Sequence, residues 1–173
     1  DGRMLFGGLN GFNLFDPDSI PLNQVIPPVY ITGIEVLNQK LIPGSPLDHG
    51  NIPLAESPQT SEDLYLSYKD YMVSFEFALL NYLFPEDNRY AYKMEGLDSD
   101  WIYSGNGRRA TYTNLAPGTC TFRVKASNND GIWNEEGTSI QVHVSTPPWR
   151  RWWAYTLYTL SGLVLTGGYV NFR

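Results

Sequence analysis

The chain is poor in the residues that carry most enzyme chemistry. It has one cysteine, Cys120, and two histidines, His49 and His143, among 173 residues. A single thiol excludes an intrachain disulfide framework and any multi-cysteine zinc site. Charge is scarce too, at 17% of residues against roughly 25% in an ordinary soluble domain. The net charge of −6 opposes wrapping DNA or RNA, so no nucleic-acid partner is expected. What is plentiful is apolar: 42% of residues are hydrophobic and 14% aromatic, enough for one packed domain with appendages.

The first twenty residues are glycine-rich and broken by Asp16-Pro17-Asp18, unlike a signal peptide. Met4–Phe6 and Phe12–Phe15 read as two short strands around an Asn10-Gly11 turn. A lone hairpin is marginal in water, so this piece is expected to belong to a larger sheet. At the other end, 19 consecutive residues from Trp152 to Val170 carry no charge. As a helix they would span roughly 28 Å, close to a ~30 Å hydrocarbon core. Trp149, Trp152 and Trp153 stand at the front of the run beside Arg150 and Arg151, as an interfacial belt would. A transmembrane segment is therefore expected. A buried helix or a final strand remains the alternative, because three glycines and four Thr/Ser weaken the span. The arginines before the run oppose the positive-inside rule if the preceding side is external.

Between these ends the pattern is all-β. Residues 29–37 form an apolar strand, and residues 43–63, with Pro43, Pro46, Pro53 and Pro58, form a long surface loop. Val73, Phe75, Phe77 and Leu79 alternate with polar or small residues, as do Tyr90, Tyr92 and Met94. Phe122, Val124 and Ala126, and then Ile140, Val142 and Val144, repeat the pattern. Turn signals separate these strands, which predicts a two-sheet β-sandwich. No helical run stands out before residue 149.

Candidate sites are thin. His143 falls on the polar face of its strand and His49 in the proline-rich loop, so both are expected in solvent. Cys120 shares a face with Phe122 and Val124 and is expected to be a core thiol. The carboxylate pairs Asp16/Asp18, Asp98/Asp100 and Glu135/Glu136 lie in predicted turns, where side chains bond their own backbone. Asn128-Asn129-Asp130-Gly131 lacks the later spacing of a calcium loop. No phosphate-binding glycine loop is present. No catalytic residue, metal or cofactor is therefore expected. The aromatics are assigned to core packing before sugar binding.

The central stretch resembles one family. Phe75-Glu76-Phe77-Ala78-Leu79-Leu80, Tyr90-Ala-Tyr92-Lys-Met-Glu95-Gly96-Leu-Asp98 and Trp101 are similar to the Y_Y_Y domain. So are Tyr112-Thr-Asn-Leu115-Ala-Pro117-Gly118 and the segment from Phe122 through Asn128 and Gly131 to Trp133-Asn134. Pro147-Pro148-Trp149 and Trp152-Trp153-Ala154-Tyr155 resemble that family's exit toward the membrane. The resemblance covers residues 27–155.

It implies an immunoglobulin/fibronectin-III-like sandwich from the periplasmic part of a sensor histidine kinase of the hybrid two-component type. The implied order is a β-propeller, this sandwich, a transmembrane helix and a cytoplasmic kinase. Leu5-Phe6-Gly7-Gly8, Gly11 and Phe15-Asp16-Pro17 resemble the last strands of such a propeller. Residues 1–26 are thus expected to be a propeller remnant and linker, 27–146 the sandwich, and 147–173 the exit and the start of a transmembrane helix.

Pro147, Pro148, Trp149, Trp152 and Trp153 are the expected signal-transmission junction. The family-marking structural residues are Phe77, Tyr90, Tyr92, Gly96, Trp101, Leu115, Pro117, Gly118 and Trp133. The parent is implied to be a homodimer in the bacterial inner membrane, relaying glycan binding, while this piece has no enzymatic role. The rival expectation is a sugar-binding accessory domain of a secreted glycan-active enzyme. In one place the sequence departs from the family, whose Leu-x-Pro-Gly-x-Tyr pattern predicts tyrosine where Cys120 stands. A tyrosine there would bond back to the preceding loop.

Overall fold

The computed structural model describes residues 2–19, 24–47, 52–82 and 84–172. In chain order the strands are β1 (Met4–Gly8), β2 (Gly11–Phe15), β3 (Val29–Val36), β4 (Gln39–Lys40), β5 (Asp63–Leu66) and β6 (Met72–Leu79). They continue with β7 (Arg89–Glu95), β8 (Ile102–Gly105), β9 (Arg109–Thr113), β10 (Gly118–Ser127) and β11 (Trp133–Val144), followed by helix α1 (Trp152–Phe172). The all-β sandwich expected from the sequence is present. One sheet has the order β4-β3-β6-β9 and the other β5-β11-β10-β7-β8. Every pairing in them is antiparallel except β11 with β5.

Alternation sets the core. Phe75 and Phe77 on β6 meet Tyr90 and Met94 on β7 and Phe122 and Val124 on β10, all fully buried. At the centre Phe75 stacks on Phe122 with ring centroids 4.1 Å apart and planes within 9°. Burying each such ring contributes about 2–3 kcal/mol of apolar transfer. Two residues on nominally polar faces are also buried. Ser74 bonds the Thr111 hydroxyl of β9 at 2.9 Å. Lys125 runs under Trp101 and Trp133, with its ammonium 4.8 and 5.3 Å from their ring centroids and 2.7 Å from Glu135. Glu135 therefore lies on β11 and pairs with a cation, not in a turn as expected.

The N-terminal hairpin forms with its turn one residue early. Gly8 pairs with Gly11, so Leu9-Asn10 is the loop. Pairing runs on past the expected stop because two opposed glycines bring no side chains into conflict. At the C-terminus the uncharged run is a helix. Among the described residues no helix is long and apolar enough to cross a membrane, so the expected span is not found. The run is diluted by Trp, Tyr, Gly, Thr and Ser, and Thr156, Thr159 and Ser161 turn their hydroxyls back onto the carbonyls of Trp153, Thr156 and Tyr158.

Candidate functional site

The chain enters the sandwich at one end and leaves it at the other, and β11 joins the two. Its 12 residues reach roughly 35 Å. At the trailing end, Ser145 N–H donates to the Leu66 carbonyl at 2.9 Å. Tyr68 N–H donates to the Ser145 hydroxyl at 3.2 Å. Pro147 is buried and extended at φ −57, ψ 142, leading into a short turn at Pro148–Arg150. Trp149 packs edge-on against Tyr68, with centroids 5.1 Å apart. Arg150 N–H returns to Pro147, Arg151 N–H to Pro148, and Ala154 N–H to Arg151. The connection into α1 is thus bonded at nearly every residue. Trp152 and Trp153 stand out from it, exposed.

His143 lies just before this junction and is not the isolated solvent histidine that its strand face suggested. Its Nε2 sits 2.7 Å from Asp63 Oδ1 on β5, and its Nδ1 sits 3.0 Å from the Thr119 hydroxyl on β10. Its ring stacks on Tyr65 at 4.9 Å. One side chain therefore fastens three strands. The parallel β5–β11 pairing creates this cluster by placing His143 opposite Tyr65 and within reach of Asp63, 80 positions away. An open hollow of about 490 Å³ lies beside it, lined in part by Tyr65, Thr119, His143 and Ser145. His49 lies outside the described residues.

At the leading end the arriving segment is held by asparagines. Asn128 Nδ2 donates to the Val25 carbonyl at 3.1 Å, and Asn134 Nδ2 to the Pro27 carbonyl at 3.0 Å. Asn128 Oδ1 also accepts from Asp130 and Ile132 N–H, shaping its own loop. The Asn-Asn-Asp-Gly run is therefore turn chemistry, as expected, with a second task that sequence alone did not reveal. Among the described residues there is no cluster of His, Cys, Asp and Glu able to hold a metal ion.

The family-marking residues divide by role. Phe77 and Tyr90 are core, with Tyr92 packed at its margin. The Tyr90 hydroxyl accepts from Leu79 N–H, tying the two sheets. Gly96, at φ 93, makes the turn after β7 that a side chain would disfavour. Trp101 and Trp133 enclose Lys125, so their faces meet a cation of the same chain instead of a flat sugar platform. Leu115, Pro117 and Gly118 line a small hollow with Cys120 beside the trailing end.

Cys120 is half-buried, packing on the core's edge with its Sγ toward the Val142 carbonyl. Burial pushes its thiol pKa up. The tie expected from a tyrosine at 120 is supplied elsewhere, by the Tyr112 hydroxyl donating to Asp98 Oδ2 at 2.6 Å. The same oxygen accepts from Met94 N–H at 2.7 Å. Burial and the Asp98 carboxylate raise the Tyr112 pKa well above its ordinary value. On the outer face, a hydrogen bond from Arg123 holds the exposed Glu95 carboxyl below its usual range.

These features define a two-sheet β-sandwich with the arriving segment hydrogen-bonded at one end and the departing segment at the other. Residues 81–145 match the Y_Y_Y domain. Among curated proteins the chain is similar to Histidine kinase P4 of Formosa agariphila, at 36% identity over 155 residues. That match covers 90% of this chain and 11% of the relative. Among solved structures it is similar to the extracellular domain of BT3049 from B. thetaiotaomicron, described as a hybrid two component system. The identity is 27% and the TM-score 0.59, over 83% of this chain and 19% of that one. The extracellular domain of BT4673 from the same organism shares the fold, at 24% identity and TM-score 0.62, over 86% of this chain and 19% of that one.

Proposed function

We propose that the chain is the extracytoplasmic signal-transmission module of a membrane-bound sensor histidine kinase of the hybrid two-component type. In this reading a β-propeller ahead of the sandwich binds a ligand, a glycan by the family resemblance. Binding shifts the arriving segment, and β11 carries the displacement to α1. The observation that carries the reading is β11 itself, hydrogen-bonded to the incoming chain through Asn134 and running straight into Ser145, which Leu66 and Tyr68 hold against the sandwich. A strand held in a sheet on both sides resists bending, so motion at one end is delivered at the other. The relay works only if ligand binds two arrangements of the module unequally.

The module performs no chemistry of its own; phosphorylation belongs to the kinase of the parent chain. The reading carries with it a homodimeric parent attached to the bacterial inner membrane, with this module on the periplasmic side and α1 as its membrane-proximal segment. The test is a flexible Gly/Ser insertion after Ser145 in the full-length protein, read by ligand-dependent autophosphorylation. Loss of the ligand response with basal activity retained is expected. An unchanged response overturns rigid coupling through this junction.

A further inference from the structure

We propose that the leading end of the sandwich is a docking surface built from Val25, Ile26, Leu80, Tyr82 and Phe84. Its occupant is the body of this same chain that completes the β1–β2 hairpin. The inference rests on the reading above, in which such a body precedes the sandwich, and it names the surface that body presses on.

The five side chains are exposed by 66, 54, 44, 87 and 61% respectively. The segments around Val25 and Leu80 are stitched together at this end of the sandwich. Leu80 N–H donates to the Pro28 carbonyl at 3.0 Å. Asn81, between Leu80 and Tyr82, reaches Asn129 at 3.4 Å, and neighbouring Asn128 holds Val25. Phe84 adds a second peculiarity: it sits in the left-handed region, φ 50 and ψ 60, which bulky residues seldom occupy. Strain of this kind persists where surroundings over-determine it and clusters at clamps and switches. Here it leaves the aromatic ring 61% exposed.

The hairpin identifies the occupant. Met4, Leu5, Phe6, Phe12 and Leu14 are all at least half exposed, and among the described residues the two strands pair only with each other. An isolated two-stranded sheet with both apolar faces in water is marginal at best, so further strands complete it. Phe15 and Val25 are separated by nine residues, a tether that reaches at most about 35 Å. Whatever body completes the hairpin is thereby held next to the apolar leading end, at a high effective concentration. A second copy of the sandwich has no such tether.

Hydroxyl-radical footprinting of the full-length protein, read by mass spectrometry, tests this without any substitution at the patch. Tyr82 is expected to label at least fivefold more slowly than Tyr65 and Tyr103, although it is the most exposed of the three here. Equal or faster labelling of Tyr82 overturns the proposal. A benzophenone amino acid in place of Leu80 identifies the occupant. Cross-linking within one chain, to sequence ahead of residue 1, is expected, and a product of doubled mass overturns it in favour of a second copy. Ligand-dependent autophosphorylation of the same preparation separates the two ideas. A protected Tyr82 without that response sinks the sensor reading alone, and a response with Tyr82 unprotected sinks the docking surface alone.

Discussion

The indole of Trp149 meets the phenol ring of Tyr68 at 81°, edge to face, immediately before α1 begins. Tyr68 belongs to the β5–β6 connection, so this contact makes the sandwich body, and not the proline pair alone, the holder of the helix. Edge-to-face pairs are worth about 0.5–1.5 kcal/mol beyond their buried area. A double-mutant cycle of Tyr68→Ala and Trp149→Ala, followed by urea unfolding, is expected to give a coupling of about 1 kcal/mol. Additive effects would mean that the rings are neighbours without consequence.

Cys120 stands beside a hollow of about 130 Å³ lined by Gly96, Leu97, Leu115, Pro117 and Gly118 among others. Cys120→Tyr places a ring in that space, and cavity filling of this kind commonly adds about 0.5–2 kcal/mol. The expected result is a higher urea midpoint with an unchanged slope. A lower midpoint would show the hollow too narrow for the ring. Because burial raises the pKa of the native thiol, alkylation of Cys120 at pH 8 is expected to be slow when folded and fast in denaturant.

The Tyr112–Asp98 bond gives the fold a defined alkaline limit. An unfolded tyrosine ionises near pH 10, whereas burial and the Asp98 carboxylate keep the Tyr112 proton on to higher pH. Above about pH 10 the unfolded chain binds fewer protons at this site than the folded one, so stability falls as pH rises. The stabilisation is complete below that pH and is lost progressively above it. Tyr112→Phe is expected to flatten this decline. It should also cost about 1–2 kcal/mol at pH 7, because Asp98 loses a donor. Unfolding midpoints measured from pH 7 to 11 for both proteins check the sign. An equal alkaline decline in the two would remove Tyr112 from the account.

The core was legible because burial follows a period of two, and Phe75, Phe77, Phe122 and Val124 obey it. The hairpin loop was misplaced because a turn propensity at Asn10-Gly11 says nothing about where cross-strand pairing stops. His143 and Asp63 escaped notice for a different reason. Their meeting depends on a short parallel strand emerging from a proline-rich loop, and no local pattern announces a parallel partner. Lys125 falls on the face opposite Val124 and Ala126, yet two tryptophans from separate segments cover it. The asparagine ties of the leading end join residues more than 100 positions apart. Asn128 reads as a turn former because that is also what it does.

Gly137 sits where β10 and β11 shift register, between Val124 and Ala126. Its φ of 61 lies in the left-handed region, and a Cβ added there would overlap the Val124 carbonyl oxygen. Its N–H donates to Asn134 Oδ1 at 3.0 Å, while the amide of the same Asn134 holds the Pro27 carbonyl. Backbone shape at 137 therefore orients the side chain that fastens the incoming segment. Gly137→Ala combines backbone strain with a clash against main chain, and a loss on the order of 3 kcal/mol is expected. Gly162→Ala on α1, where nothing lies within 4 Å of the added carbon, should be neutral or slightly stabilising and serves as the control. Hydrogen exchange separates a local from a global effect. The Leu80 amide, whose acceptor is the Pro28 carbonyl, should lose protection in Gly137→Ala under conditions where the Phe75–Phe122 core still retains it. If protection of Leu80 persists while β11 loosens, Asn134 holds its place without the bulge, and the two ends of β11 are less tightly joined than the hydrogen bonds imply.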